Sequence, residues 1–232
     1  MQNNNQSFIS QVLALFQKDL LIERRNKYVL GGLFLFSSST VMMIYFSLLY
    51  NGDSLQNLPA STWGILFWMV VLFSSVNAVS NSFFREKEEN MMYFHFLFSP
   101  YVYITAKLIY NVLFTLLLSI AASIIFIVVI PTHIHSIFIF TEEMVLGSIS
   151  YAVLFTTMSA IALKAKSNNT LVAVLGFPIL IPLLIFITKI TSAALGDITM
   201  QELVTKNLML LIALDIVQII LAIVLFPYIW RE

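Results

Sequence analysis

The sequence predicts an all-α membrane protein, with six transmembrane helices preceded by an interfacial amphipathic helix. Three observations predict it. Apolar residues fill 59% of the 232 positions and charged residues only 10%. A soluble domain carries about 25% charge, so this much apolar surface needs lipid as its solvent. Six apolar runs reach the roughly 20 residues that a helix needs to cross a bilayer core. The basic residues fall almost entirely on one side of those runs.

The chain divides at residue 27. Residues 1–27 are expected to form a cytoplasmic N-terminal tail and an amphipathic helix, and residues 28–232 one membrane domain. Met1–Gln6 carries no Lys or Arg and does not read as a signal peptide. From Phe8 to Lys27, Ile9, Val12, Leu13, Phe16 and Leu20 share one helical face, with Gln11, Lys18 and Arg25 opposite. That pattern suits a helix lying in the membrane interface, or else a cap helix packed on the protein. The spans follow at Tyr28–Tyr50, Trp63–Phe84, Ile104–Ile130, Met144–Leu163, Leu171–Ile190 and Leu208–Ile229. Lys107, near the start of the third, is expected to snorkel to the interface. Pro178 and Pro182 lie inside the fifth and predict a kink.

Charge placement sets the orientation. Lys18, Arg24, Arg25, Lys27, Arg85, Lys87, Lys107, Lys164, Lys166 and Arg231 fall on the side of the two termini, against Lys189 and Lys206 opposite. Both termini are therefore expected in the cytoplasm. The formal net charge is zero, so nothing points to nucleic acid. With no cysteine, disulfides, thiolate metal sites and cysteine nucleophiles are excluded.

The richest link is Arg85–Pro100, between the second and third spans. It opens with Arg85-Glu86-Lys87-Glu88-Glu89, continues through the apolar Met92 and Phe96, and stops at Ser99-Pro100. A short amphipathic helix over about residues 86–99 fits. Its acids and aromatic stripe either dock into a groove on a soluble partner or rest on the membrane. Asp215 is the acid placed mid-membrane, where it either lines a path or bonds another helix, with Asn77 and Asn81 as candidate partners. His133 and His135 form a His-x-His pair on an outer loop, without a third ligand nearby. No phosphate loop, His-Glu-x-x-His or Gly-x-Ser-x-Gly occurs, so this chain is not expected to be an enzyme.

Four stretches together resemble a known family, the CcmB family of heme exporter protein B. They are Phe16-Gln17-Lys18-Asp19-Leu20 through Glu23-Arg24-Arg25; Phe84-Arg85-Glu86 with Glu88-Glu89, closing at Phe98-Ser99-Pro100; Phe177-Pro178-Ile179-Leu180-Ile181-Pro182-Leu183 followed by Thr191-Ser192-Ala193-Ala194; and Leu211–Asp215 with Phe226-Pro227. The chain departs from the family at Asn90-Met91-Met92-Tyr93, where a glycine and a Leu-Glu pair are common. The resemblance implies a type-2 ABC exporter permease: two copies paired with two copies of a cytoplasmic, CcmA-like ATPase subunit. Residues 86–99 would then be the coupling helix. ATP would act through the partner, and this chain would hold no cofactor of its own. The transporter would work beside a haem-handling membrane protein and a haem chaperone of cytochrome c maturation, with haem as a possible cargo or the energy of ATP used instead to release the chaperone. A type-2 permease for a glycan, lipid or drug, and a scaffold that moves nothing, are the competing readings.

Overall fold

The computed structural model describes residues 7–25, 27–50, 58–84, 97–164, 169–196 and 201–231. Among them are seven α-helices and no strand. They are α1 (Phe8–Arg25), α2 (Lys27–Tyr50), α3 (Ala60–Phe84), α4 (Pro100–Val129), α5 (Ile137–Lys164), α6 (Asn169–Ala194) and α7 (Gln201–Arg231). Five stretches are long and apolar enough to cross a bilayer: Ala60–Phe83, Pro100–Val129, Ile137–Ala162, Gly176–Ala194 and Leu203–Trp230. In α2 the shorter stretch Leu35–Tyr50 is apolar.

Local chemistry moves several boundaries from the sequence reading. Ser99 is extended (φ −73°, ψ 152°) and its Oγ accepts from the Val102 N–H at 3.4 Å. Pro100 follows at the first helical turn, where a missing N–H costs nothing. This cap starts α4 a full turn before Ile104. Helix α5 begins at Ile137 instead of Met144. The Ser136 carbonyl accepts from Phe140 N at 3.1 Å, and its hydroxyl lies 3.5 Å from Ile139 N. Glu142 and Glu143, which end the loop in the sequence reading, are therefore helical. Helix α6 runs unbroken through Pro178 and Pro182; membrane helices tolerate proline when neighbours satisfy the freed carbonyls.

Contacts fix which ends lie together. At one end, the last turn of α3, the start of α4, the C-terminal part of α7 and helix α1 share a cluster that includes Val12, Leu15, Phe83, Tyr103, Phe226 and Trp230. There the Tyr103 ring stacks on Phe226 at 5.6 Å and lies 4.9 Å from Trp230. At the other end, Trp63 of α3 donates its indole N–H to the Ile130 carbonyl just past α4, at 3.2 Å. The His135 and Ser136 N–H groups both donate to Ala194 O, the end of α6, at 3.0 Å. Helices α3 to α7 thus alternate in direction. Helix α5 is central and packs on α3, α4, α6 and α7. Helix α2 sits at the edge, touching α3, α4 and α1, with Val41 buried and a Ser37–Ser74 hydroxyl bond of 3.0 Å.

Lipid is as apolar as leucine, so close packing and polar contacts hold such helices together. The α3–α4–α5 seam has that character. Ser75, Ala78 and Ser82 of α3 are buried, as are Asn111, Thr115 and Ser119 of α4 and Ser148, Ala152 and Thr156 of α5.

Helix α1 divides its predicted apolar face between the protein and its surroundings. Its buried stripe is Val12, Leu15, Asp19 and Glu23, turned toward α4. Ile9, Leu13, Leu20, Leu21 and Ile22 point outward and are exposed. The helix packs on the protein through Val12, Leu15 and two acids while offering other apolar side chains to its surroundings.

Candidate functional site

Three polar clusters stand out, each built by different helices. The first lies at the α1 end. Lys107, two turns into α4, is 2% exposed. Its Nζ is 3.0 Å from Asp19 Oδ2 of α1 and donates to Ser82 O of α3 at 3.0 Å. It also lies over the Phe83 and Tyr103 rings, 5.5 and 5.8 Å from their centroids. The expected snorkelling does not occur: a buried acid and a helix-end carbonyl replace water. Asp19 Oδ1 is also 3.1 Å from Lys18 Nζ. One turn further along both helices, Tyr110 donates its hydroxyl to Glu23 Oε2 at 3.2 Å.

The second cluster continues up α4. Lys107, Asn111, Thr115, Ser119 and Ser123 recur every four residues and all are buried. Ser82 Oγ donates to Asn111 Oδ1 at 3.2 Å, and Asn111 Nδ2 donates to Thr156 Oγ1 at 2.8 Å. Ser119 and Ser148 hydroxyls meet at 3.0 Å. Thr115 Oγ1 has no partner. Beside this seam, Asp215 of α7 is buried and accepts a short hydrogen bond from Ser150 of α5. Its second oxygen and the Gln218 amide one turn on have no partner. The sequence offered Asn77 or Asn81 as partners of Asp215. Instead Ser150 takes that place, because α7 packs on α5, while Asn77 donates to Phe73 O of its own helix at 3.0 Å.

The third cluster lies at the opposite end. Glu143 of α5 is fully buried, so Asp215 is not alone as an acid inside the bundle. Glu143 Oε1 accepts from Trp68 Nε1 of α3 at 3.0 Å and, over a short bond, from Thr191 Oγ1 of α6. Trp68 Nε1 is also 2.9 Å from Thr191 Oγ1. Two glycines make the space. A Cβ on Gly147 would lie 2.4 Å from Trp68 Cη2, and one on Gly64 would lie 3.0 Å from Thr191 Cβ.

The predicted site residues scatter across this frame. Ser99 and Pro100 cap α4, two turns before Lys107 of the first cluster. Glu86, Glu88, Glu89, Met92 and Phe96 lie outside the described residues. Pro178 is exposed and Pro182 half-buried on α6. His133 and His135 are exposed, and among the described residues no group of three His, Asp or Glu is placed to hold a metal. The sequence reading missed Glu143, Trp68 and the pairing of Lys107. The signals were available: acids at 19 and 23 on the face of Val12 and Leu15, and a polar residue every fourth position from 107 to 123.

The chain matches the family described as CcmB protein over residues 10–229. No curated protein and no solved structure matches it.

Proposed function

The chain belongs to the CcmB family, the heme exporter protein B family, and on that premise we propose that it is the membrane permease subunit of an ABC transporter acting in cytochrome c maturation. The family match, which spans nearly the whole chain, is the observation that carries this reading. A CcmA-like ATPase in the cytoplasm hydrolyses ATP, since this chain has no phosphate loop of its own. A second permease copy completes the transporter, which sits in the bacterial inner membrane. Its output is haem export or release of the haem chaperone, beside a haem-handling membrane protein.

The architecture is the type-2 exporter plan with six spans. Helix α2 counts as the first span: its 24 residues reach about 36 Å at 1.5 Å per residue, enough for a core of roughly 30 Å. Helix α1 is the interfacial elbow, its outward Ile9, Leu13 and Leu20 meeting lipid. Residues 86–99 form the coupling helix, with Glu86, Glu88, Glu89, Met92 and Phe96 against the ATPase and Ser99-Pro100 ending it. The first polar cluster supports this, because it gathers both flanks of that segment, Ser82 before it and Lys107 after it. Both termini are cytoplasmic.

Affinity purification of the tagged chain in mild detergent, with mass spectrometry, tests the reading. An ABC ATPase together with haem-handling maturation proteins is the expected result. The ATPase alone moves the cargo to another class, such as a glycan, lipid or drug. Recovery of neither, with crosslinking before solubilisation, refutes the transporter.

A further inference from the structure

We propose that the Asp19–Lys107 ion pair is a joint that makes α1, the last turn of α3 and the first turns of α4 one moving body. The proposal rests on the permease reading above and deepens it. Lys107 and Asp19 become positioning residues for the coupling of ATP hydrolysis to the bundle.

Three observations converge. A single buried ammonium holds three elements, bonding Asp19 of α1 and Ser82 O of α3 from its place on α4. The Glu23–Tyr110 bond repeats the tie one turn further along the same two helices, so α1 is held at two points and cannot pivot about one. Ser82 and Lys107 sit on the two helices that the link after α3 joins, so the junction ties together the elements on either side of it.

The energetics favour a positional role. A lysine near a helix end ordinarily reaches for water, which costs little. Turning it inward to a buried acid desolvates both charges, and an apolar pair would often serve stability as well. What the ion pair adds is a fixed relative position, because two desolvated charges tolerate little displacement. The outward apolar side chains of α1 then ride with the junction: a tilt of α4 carries Ile9, Leu13 and Leu20 with it.

The test uses the full chain reconstituted in proteoliposomes with its ATPase. Since the chain has no cysteine, spin labels go on Leu13→Cys of α1 and Tyr101→Cys of α4, both exposed positions. In the otherwise native chain the label distance is expected to be the same without nucleotide and with ATP and vanadate. In Asp19→Asn/Lys107→Met, a near-isosteric neutral pair, the distance is expected to broaden and to differ between the two states. That variant should still bind the ATPase, while the stimulation of ATP hydrolysis by the permease falls about tenfold. Lys107→Arg, which keeps the cation, should retain native behaviour. A native distance that changes between states overturns the joint, and so does a double variant with unchanged distance and stimulation. If the native chain binds no ATPase, the permease reading fails. The resting-state label widths then decide the joint by themselves: equal widths in native and double variant refute it.

Discussion

Gly147→Ala should destabilise the bundle more than any other single methyl added to a glycine described here. Its Cβ would stand 2.4 Å from Trp68 Cη2, 2.8 Å from Cζ3 and 3.1 Å from Cζ2. Carbon atoms rest at about 3.5–4.0 Å, so the ring or the helix must retreat by about 1 Å. The ring has nowhere to go. Its centroid lies 5.1 Å from that of Phe67 and 5.7 Å from that of Tyr151. Its N–H is tied to Glu143 and Thr191 at 3.0 and 2.9 Å. Overpacking of this kind costs about 1–3 kcal/mol, and a weakened buried hydrogen bond adds about 1 kcal/mol. A total near 3 kcal/mol lowers the melting temperature by roughly 6–12 °C for a chain of this size. The control is Gly32→Ala, where nothing lies within 4 Å of the new methyl; it should be neutral or stabilising by about 0.5–1 kcal/mol. The assay is thermal unfolding in detergent followed by tryptophan emission, since Trp63, Trp68 and Trp230 are all buried. Equal melting of the two variants would refute the close approach of α3 and α5 at Trp68.

Other perturbations separate the remaining clusters. Glu143→Gln keeps an acceptor for Trp68 and Thr191 and should melt within about 1 kcal/mol of native, whereas Glu143→Leu removes it and should cost about 1–3 kcal/mol by the same assay. Asp215→Asn keeps an oxygen for Ser150, so assembly should survive while ATP-coupled activity falls. Loss of assembly, seen by size-exclusion chromatography, would make Asp215 structural. Reversing Glu88 and Glu89 to lysine should weaken capture of the ATPase in pull-down; unchanged capture would remove residues 86–99 from the interface.

Hydropathy reads spans well because the bilayer sets both length and composition. It places α3, α4 and α6 with shifts of a few residues at their ends, and starts α5 and α7 seven residues late. At α5 the late start leaves Glu142 and Glu143 outside the span, because an acid in lipid is expensive. The burial of Glu143 under Trp68 and Thr191 removes it from lipid altogether. Hydropathy also cannot say which face of a helix meets protein, since lipid and protein accept the same apolar residues. The apolar face of α1 therefore suited either the membrane interface or a packing contact, and the observed contact runs through Val12, Leu15, Asp19 and Glu23. The polar groups carry that missing information, but only in pairs. Lys107 alone suggests a snorkelling cation, and only with Asp19 beside it does it become a junction.

The four-residue rhythm of α4 has a mechanical consequence. At 3.6 residues per turn, each step of four advances the polar face by about 40° around the helix. From Lys107 to Ser123 the stripe therefore winds like a screw thread. Its mating grooves pass in turn from α1 and α3 at Lys107, to α3 and α5 at Asn111, to α5 alone at Ser119. A slip of one residue would turn α4 by about 100° and break the cross-helix bonds of Lys107, Asn111 and Ser119 together. The next register in which polar teeth again face polar grooves lies four residues away, about 6 Å along the axis. Between those two settings α4 cannot creep; it stays keyed to its neighbours and moves with them.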